Sequence, residues 1–153
     1  MSQTKIVILN WNGEEHLRRF LPSVVRSVEG VEGVSVVLAD NGSTDDSVAL
    51  LRREFPSVEV VCLDRNYGFA EGYNRALKQV EADYYILLNS DVETPRGWVE
   101  PLVQCLDENP DVAACAPKLR IRRCPKSSSM RGRQVAISTT WAIPFVGGVS
   151  CAR

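Results

Sequence analysis

Residues 34–45 read Val-Ser-Val-Val-Leu-Ala-Asp-Asn-Gly-Ser-Thr-Asp, an apolar run followed by a polar turn. Its first half, residues 34–40, is short, apolar and rich in β-branched side chains, which indicates a strand buried on both faces. Its second half is a polar turn, after which the spacing of Val48, Leu51 and Phe55 predicts a helix. A buried strand followed at once by a helix is typical of a parallel sheet that is covered by helices.

The same unit recurs on both sides of this stretch. The predicted strands are residues 5–10, 34–40, 58–63, 84–88 and 112–116, and helical patterns lie between them. Thr94 followed by Pro95 predicts the start of the helix before the last strand, because proline is favoured at the first helical position. We therefore expect an α/β protein with a Rossmann-like, mostly parallel sheet and helices on both faces, in three α/β/α layers.

Three polar turns follow predicted strands, at the ends where ligands bind in such sheets. They are residues 10–13, 40–45 and 89–91, and we expect them to lie side by side. Asp40 could accept hydrogen bonds from a base imide or from ribose hydroxyls, although an Asx turn with a helix cap would use the same residues. Asp91 could bind Mg²⁺ or Mn²⁺ together with phosphate oxygens, although a polar turn before a helix cap at Thr94 would explain the same residues.

A third cluster, residues 64–77, combines glycines with arginines. Gly68 and Gly72 allow close approach of the backbone, and Arg65 or Arg75 could face phosphates. An ordinary loop and an amphipathic helix would explain the same pattern, so both interpretations stay open.

Several known motifs are missing from the sequence. It contains no G-x-G-x-x-G after the first strand, no G-x-x-x-x-G-K-[ST] and no G-x-S-x-G. A dinucleotide-dependent dehydrogenase and a P-loop NTPase therefore lose their main support. A nucleotidyltransferase that makes sugar nucleotides would show a glycine-rich loop with Arg and Lys after the first strand, and residues 10–13 form no such loop.

Four motifs in order carry a resemblance to a known family. They are I-V-I-L-N-W-N-G at residues 6–13, D-N-G-S-T-D at 40–45, N-Y-G-F-A-E-G-Y-N-R-A-L at 66–77 and L-L-N-S-D-V at 87–92. Over roughly residues 4–118 the chain resembles the donor-binding, N-terminal half of family 2 glycosyltransferases with the GT-A fold. It resembles the rhamnosyltransferase-like bacterial branch of that family in particular.

The resemblance implies a role for each matched position. In that family the turns after the first two strands, the N-x-G segment and the D-x-D-like motif line the nucleotide-sugar site. The corresponding residues in this sequence are Asn10, Trp11, Asn12, Asp40, Asn66, Gly68 and Asn89, with Asp91 as the expected ligand of Mg²⁺ or Mn²⁺. Asn89 departs from the stricter D-x-D form and removes one charge from the site.

The resemblance also implies an activity. It implies transfer of a sugar, with inversion, from a UDP-, dTDP- or GDP-sugar to a hydroxyl of a glycan or lipid-linked acceptor in cell-surface polysaccharide synthesis. The family's second half supplies the acidic general base, but after Asp111 this sequence has eight Lys and Arg residues and no Asp or Glu. We therefore expect no catalytic base in this chain, and a non-catalytic nucleotide-binding or interaction module stays open as the alternative.

The same change of charge predicts a domain boundary. We expect residues 1–118 to form the donor-binding half-domain and residues 119–153 to form a basic, irregular tail. The abrupt loss of acids and of periodicity favours a chain that is truncated, or read out of frame from about residue 120.

Composition limits the size, the cellular location and the partners that we expect for the protein. The 153 residues are 44% hydrophobic, which suits one domain with a core. No apolar run approaches the roughly 20 residues of a membrane span, and no signal peptide precedes the first strand, so we expect a cytoplasmic protein. Five cysteines without a C-x-x-C spacing fit reduced thiols. The basic tail leaves open a position at the inner face of the membrane, and a homo-oligomer also stays open, whereas nucleic acid is not an expected partner.

Overall fold

Strands and helices alternate along the chain. The structure is a computed structural model that describes residues 2–117 and 141–144. In chain order the elements are β1 (Thr4–Asn10), α1 (Glu14–Val28), β2 (Val34–Asp40), α2 (Ser47–Glu54), β3 (Glu59–Cys62), α3 (Phe69–Leu77), β4 (Tyr84–Leu88), α4 (Glu100–Glu108) and β5 (Trp141–Pro144). The sheet has the order β3-β2-β1-β4-β5, with the first four strands parallel and β5 antiparallel to β4. The predicted α/β class with a mostly parallel sheet is confirmed.

The parallel register brings the carboxyl ends of the strands to one edge of the sheet. Asn10 of β1 lies beside Asp40 of β2, which in turn lies beside the end of β3. On the other side of β1, Ile8 lies beside Leu88 of β4, so Asn89 follows at the same edge. The polar turns therefore meet, as the sequence predicts.

Alternation along the strands gives the sheet two apolar faces. On one face, Ile6 and Ile8 of β1 belong to a cluster with buried residues of α1, α2 and α4. Val7, between them in sequence, belongs to a second cluster with Tyr73 and Ala76 of α3. Successive side chains of a strand point to opposite faces, so the two clusters lie on either side of the sheet. This arrangement confirms the three predicted layers.

The prediction of a strand at residues 112–116 is wrong. Only Cys115 makes an isolated bridge there, and Ala113 and Ala114 are exposed. Two exposed alanines bury too little apolar surface to hold the segment in the sheet. The strand beside β4 is β5 instead, so the prediction of an irregular tail at residues 119–153 is wrong at residues 141–144. The rest of that tail lies outside the described residues.

The predicted helix start at Thr94 is also wrong. The helix α4 begins at Glu100, because Gly97 with φ +73° interrupts right-handed helical geometry. The hydroxyl of Thr94 lies 3.0 Å from that of Ser27 on α1, and Ser27 also accepts a hydrogen bond of 2.9 Å from the Trp98 indole. These contacts attach the segment after residue 91 to α1.

Cys62, Cys105 and Cys115 are free thiols. Packing and hydrogen bonds, rather than disulfide bonds between these cysteines, therefore hold the described part of the chain together.

Within residues 2–117 and 141–144, none of the helices has both the length and the apolar character that crossing a bilayer requires.

Candidate functional site

A buried polar pair joins the ends of β1 and β2. Asn10 and Asp40 are 1% and 3% exposed, and Asn10 Nδ2 donates to Asp40 Oδ1 at 3.1 Å. The other carboxylate oxygen, Asp40 Oδ2, accepts from the backbone N–H of Ser43 at 2.9 Å, which is the contact expected of an Asx turn. Burial of a carboxylate requires hydrogen bonds in place of its water shell. Since a carboxylate offers about four acceptor positions, Asp40 keeps capacity for a further donor.

The amide oxygen of Asn10 is a buried acceptor without a donor. Asn10 Oδ1 receives no hydrogen bond from any described residue. It packs against the turn at Gly13, where an added Cβ would lie only 2.4 Å from this oxygen. Buried polar atoms are hydrogen-bonded in most proteins, so a donor from outside the described residues would stabilise this oxygen.

Asn12 ties the first turn to the second. Its backbone N–H donates to Ser43 Oγ at 2.9 Å, and its side-chain oxygen accepts from the backbone N–H of Thr44 at 2.7 Å. Asn12 has a φ of +50°, a conformation that asparagine adopts more readily than most residues. The neighbouring Trp11 is 56% exposed, so the turn presents an indole to solvent on a backbone that Asn12 holds in place.

Asp45 holds the starts of two helices. Its carboxylate accepts from the backbone N–H groups of Glu14 and Ser47, the first residues of α1 and α2, each at 3.1 Å. Burial acts to raise the pKa of Asp45, but hydrogen bonds from Ser47 and Glu14 outweigh it and leave the pKa below its ordinary value of 3.8. The carboxylate thus satisfies N–H groups that have no partner within their own helices.

We expect Asp45→Asn to remove a pH-dependent part of the stability. The pKa of Asp45 is lower in the folded state than in the unfolded state, so the ionised group stabilises the fold above the unfolded pKa. That contribution disappears as the pH falls through the folded pKa. The difference between wild type and variant in the free energy of unfolding should therefore be full at neutral pH and shrink below pH 3.8. Urea titrations over a series of pH values measure it.

Asp46→Asn is the control for this pH series. Asp46 is exposed and makes no capping hydrogen bond through its side chain at the start of α2. Its replacement should leave the pH dependence as in the wild type. A difference for Asp45→Asn that stayed constant into strong acid would contradict the proposed capping role.

Asn41 attaches the loop after β3 to the end of β2. Its Nδ2 donates to Asn66 Oδ1 and to the Gly68 carbonyl, both at 3.0 Å. Its Oδ1 accepts from the backbone N–H of Tyr67 at 3.0 Å. Because Asn41 is only 2% exposed, water competes poorly for these bonds. The third polar segment is therefore fixed against the second.

Gly42 makes this close approach possible, and we expect Gly42→Ala to destabilise the fold. Gly42 has a φ of +72°, and an added Cβ would lie 2.6 Å from the Cα of Arg65. Left-handed backbone costs an alanine roughly 1–2 kcal/mol, and overpacking costs about 1–3 kcal/mol more. Gly30→Ala is the matched control, since Gly30 has a φ of +80° but nothing within 4 Å of an added Cβ. Urea unfolding of both variants measures the difference, and equal losses would contradict the close approach.

Two arginines flank the ring of Tyr67. The guanidinium carbons of Arg65 and Arg75 lie 4.9 Å and 3.9 Å from the ring centroid. The Tyr67 hydroxyl donates to Asp64 at 2.7 Å, and Arg75 also pairs with Glu71 at 2.7 Å. These contacts stiffen the loop. That Arg65 or Arg75 faces phosphates stays a prediction.

An open cavity of about 440 Å³ lies between the end of β3 and α3. It is lined by Cys62, Leu63, Asp64, Glu71, Arg75, Lys78 and Gln79. None of the residues that join the turns after β1 and β2 belongs to this lining, but Asp64 and Arg75 of the lining both contact Tyr67 in the loop after β3.

The segment after β4 lies at the same edge but is not joined to the network by its side chains. Asn89 is half-buried and Asp91 is exposed, and in the described part of the chain neither side chain makes a hydrogen bond or an ion pair. Tyr73 of α3 connects the strands themselves, because its hydroxyl accepts from the Leu9 N–H at 3.4 Å and donates to the Leu88 carbonyl at 3.2 Å. The Asp91 carboxylate is thus available to an incoming cation.

The oxygen donors at this edge fit a divalent cation that brings further ligands with it. Asp91 and Asn89 offer carboxylate and amide oxygens, which suit Mg²⁺ and Mn²⁺. The described residues contain no group of three or more His, Cys, Asp or Glu side chains that could hold a metal ion. Mg²⁺ is commonly held by one or two carboxylates together with substrate phosphates and water. The edge therefore suits a metal shared with a phosphate ligand better than an all-protein metal centre.

The structure joins most, but not all, of the residues that the sequence singled out. Five of them belong to the hydrogen-bonded network: Asn10, Asn12, Asp40, Asn66 and Gly68. Trp11, Asn89 and Asp91 lie at the same edge without a side-chain hydrogen bond to it.

Sequence reasoning missed the connecting residues, which are Asn41, Ser43, Asp45 and Tyr73. The first three lie inside the quoted motif at residues 40–45, but the sequence does not say which loops they bond. Tyr73 would lie in the core if residues 64–77 were only an ordinary loop and an amphipathic helix. The sequence did hold one indication of this contact: a tyrosine at a buried helix position usually needs a hydrogen-bond partner for its hydroxyl.

The family to which the chain belongs follows from a comparison with known protein families. Residues 5–145 match the family model described as Glycosyl transferase family 2. The chain belongs to this family. The match begins at residue 5 and ends one residue after β5. That the chain is truncated, or read out of frame from about residue 120, stays a prediction. The predicted boundary at residue 118 lies outside the described residues and stays a prediction.

Two curated relatives of this family 2 chain are bacterial transferases. It is 29% identical over 126 residues to the N-acetylglucosaminyl-diphospho-decaprenol L-rhamnosyltransferase of Mycobacterium tuberculosis, covering 75% of this chain and 40% of the relative. It is 29% identical over 112 residues to the undecaprenyl-phosphate 4-deoxy-4-formamido-L-arabinose transferase of Edwardsiella ictaluri, covering 70% and 34%. The likeness to rhamnosyltransferases is confirmed, and the chain spans two fifths or less of the length of these relatives.

Solved structures establish the fold of the family 2 chain. The mannosyltransferase PcManGT from Pyrobaculum calidifontis, in complex with GDP-Man and Mn²⁺, aligns with a TM-score of 0.69 and 21% identity over 78% of this chain and 36% of that one. S. aureus TarS 1–349 in complex with UDP aligns with a TM-score of 0.64 and 21% identity, covering 82% and 38%. At this identity the likeness concerns the fold alone, and it confirms the expected GT-A fold.

Proposed function

We propose that this chain is the donor-binding part of an inverting glycosyltransferase. The complete enzyme transfers a sugar from a nucleoside-diphosphate sugar to a hydroxyl of a glycan or lipid-linked acceptor, in the synthesis of cell-surface polysaccharide. The observation that carries the proposal is the buried Asn10–Asp40 pair at the edge where the family's motifs meet. The decaprenol and undecaprenyl phosphate in the relatives' names support a lipid-linked acceptor.

In this proposal the nucleotide is bound by the turn after β1, the turn after β2 and the loop after β3, which are hydrogen-bonded to one another. Asp40 accepts a hydrogen bond from the base imide or from a ribose hydroxyl, using the acceptor capacity that its contacts with Asn10 and Ser43 leave. Because the turns are already bonded to one another, little loop ordering has to accompany binding. The remaining proposed contacts to the nucleotide sugar are Trp11, Asn12, Asn66, Gly68 and Asn89.

Asp91, with Asn89 beside it, would hold Mg²⁺ or Mn²⁺ together with oxygens of the diphosphate. Such a cation would neutralise charge on the departing diphosphate. The neighbour in complex with GDP-Man and Mn²⁺ supports this choice of ion. The chain's own contribution is to hold the carboxylate at the edge, since Thr94 and Trp98 attach the following segment to Ser27 of α1.

The transfer step needs a base as well as a bound donor. The acceptor oxygen attacks C1 of the sugar while the bond from C1 to the diphosphate oxygen breaks, and the hydroxyl proton passes to the base. No Asp or Glu follows Asp111 in this chain. In the proposed enzyme these residues therefore bind the donor and stabilise the leaving group, and another part of the protein supplies the base.

Thermal unfolding with a panel of nucleotides tests the proposal. UDP, dTDP and GDP are each added with and without Mn²⁺ or Mg²⁺. A ligand at about 100 times its dissociation constant stabilises the native state by about 2.7 kcal/mol. We expect a metal-dependent rise in Tm for at least one of the three. A protein that melts cooperatively and shows no shift with any nucleotide would contradict the proposal.

A non-catalytic nucleotide-binding or interaction module is the second candidate, because the residues after Asp111 lack a carboxylate base. Both candidates bind nucleotide, so binding does not separate them. Incubation of the protein, together with the part that supplies the base in the proposed enzyme, with the matching nucleotide sugar and an acceptor does separate them. The measured product is released nucleoside diphosphate. Sugar transfer or release supports the enzyme, whereas nucleotide binding without any release supports the module.

The cellular location of the enzyme is part of the proposal. A lipid-linked acceptor would place it at the inner face of the membrane, and eight Lys and Arg residues after Asp111 suit anionic headgroups. Co-sedimentation with vesicles of anionic lipid, compared with neutral lipid, tests this contact. Whether the protein forms a homo-oligomer stays a prediction for light scattering.

A further inference from the structure

The hydroxyl of Tyr73 bridges two neighbouring strands at the edge of the proposed site. The pairing of β1 with β4 runs as far as Ile8 and Leu88. At that point the Tyr73 hydroxyl accepts from the Leu9 N–H at 3.4 Å and donates to the Leu88 carbonyl at 3.2 Å. A side chain from α3 therefore connects the two strands where their own pairing ends.

This bridge lies where the strand order reverses. In the order β3-β2-β1-β4, β1 has β2 on one side and β4 on the other, and ligands bind beyond the carboxyl ends of strands at such a switch point. The turn after β1 carries Asn10 and Asn12, whereas the segment after β4 carries Asn89 and Asp91. One side chain thus connects the two halves of the proposed site.

The surroundings of Tyr73 keep its hydroxyl protonated and in place. The residue is 4% exposed, and burial raises the pKa of Tyr73 to about 12, although the Leu9 N–H acts in the opposite direction. A protonated phenol can donate and accept at the same time. The ring of Phe69 packs edge-on against that of Tyr73, with 5.1 Å between the centroids.

We propose that Tyr73 is a positioning residue that sets the distance between the nucleotide-binding turn and the metal-binding segment. The inference rests on the proposed function of those two segments. By joining Leu9 to Leu88, Tyr73 holds Asn10 and Asp91 where one nucleoside diphosphate reaches both. Loss of the hydroxyl removes no ligand contact, but it uncouples the two strand ends, so the metal no longer strengthens nucleotide binding.

Tyr73→Phe tests the inference, and Tyr85→Phe is its matched control. The Tyr85 hydroxyl also donates to a backbone carbonyl, that of Val80, within the same apolar cluster. Tyr85 lies beside Lys5, towards the other end of the strands. The dissociation constants of UDP, dTDP and GDP are measured by calorimetry with and without Mn²⁺. Wild type and Tyr85→Phe should bind the nucleotide more tightly with Mn²⁺ than without it. In Tyr73→Phe this gain in affinity should be smaller by a factor of about five or more, while the affinity without metal stays as in the wild type.

The outcomes separate this inference from the proposed function. An undiminished gain from Mn²⁺ in Tyr73→Phe would overturn the positioning role and leave the proposed function intact. A wild type whose nucleotide affinity ignores Mn²⁺ would overturn both.

Amide hydrogen exchange at Leu9 in the metal-free wild type adds a check that needs no variant to fold. The bridge predicts slow exchange of this N–H, since a buried hydroxyl accepts its hydrogen bond. Exchange as fast as that of an exposed loop would overturn the bridge itself.

Discussion

Asp91→Ala should abolish the part of nucleoside-diphosphate binding that depends on Mn²⁺ or Mg²⁺. The Asp91 carboxylate is exposed and forms no hydrogen bond or ion pair among residues 2–117, so its removal costs little folding free energy. It is also the one carboxylate that the motif at residues 89–91 offers to a metal. Of the roughly 2.7 kcal/mol of stabilisation at a saturating ligand concentration, the metal-dependent share should vanish and the metal-free share should remain. Thermal unfolding of the variant with each nucleotide, with and without metal, measures both shares.

Glu81→Ala is the matched control for Asp91→Ala. Glu81 is also an exposed acid that forms no hydrogen bond or ion pair in the described part of the chain, but it precedes β4 rather than following it. Its removal changes the net charge equally at the opposite end of the same strand. An equal loss of metal dependence in both variants would mean that general charge, rather than Asp91, attracts the cation.

Asp40→Ala should weaken nucleotide binding whether or not metal is present, and should also destabilise the fold. It removes one of the two acceptors of the buried Asn10 Nδ2, which also donates to Ser43 Oγ, and it removes the acceptor of the Ser43 N–H. The expected cost is about 1–3 kcal/mol. A hydrogen bond to a charged group contributes about 1.5–3 kcal/mol, so affinity should fall about tenfold or more. Urea unfolding measures the first effect and calorimetry with the bound nucleotide measures the second.

Asp45→Ala separates these two effects. Asp45 lies in the same turn and also accepts two backbone hydrogen bonds, so its loss should destabilise the fold by a comparable amount. It is not a proposed nucleotide contact, and the affinity of the folded variant should stay near that of the wild type. An equal loss of affinity in both variants would assign the effect to the turn as a whole and contradict the role of Asp40.

The strands and the meeting of their polar turns could be predicted because both depend on local patterns and on topology. An apolar run such as residues 34–40 indicates a buried strand without any knowledge of its neighbours. Parallel strands then place all their carboxyl ends at one edge. That Asn10 and Asp40 lie at the same edge of the sheet follows from those two facts alone.

Which polar atoms pair could not be predicted, because that depends on contacts between distant segments. Asn41 reads as an ordinary turn residue, yet its side chain bonds Asn66, which is 25 residues away. Tyr73 fits the apolar stripe of α3, and only the structure shows its hydroxyl between two strands. The sequence-based reading identified the segments of the candidate site but not the side chains that join them.

The neighbour of β4 was mispredicted for a similar reason. The apolar residues at 112–116 match a strand pattern locally, but only Val112 and Cys115 pack against the core, and Ala113 and Ala114 are exposed. The strand that pairs with β4 comes from residues 141–144, in antiparallel orientation. Pairing between segments that lie so far apart in sequence leaves no local signal.

Line broadening by Mn²⁺ in the NMR spectrum tests most directly whether nucleotide and metal meet at this edge. The paramagnetic ion broadens the amide signals of nearby residues, and a seven-residue strand such as β1 places its two ends about 20 Å apart. With a bound nucleoside diphosphate, we predict broadening at Asn10, Asn41 and Asn89. The signals at the opposite ends of the same strands should stay sharp: Thr4, Val34 and Tyr84. Broadening that is the same without nucleotide, or that is strongest at Thr4, Val34 and Tyr84, would contradict a shared site for nucleotide and metal at this edge.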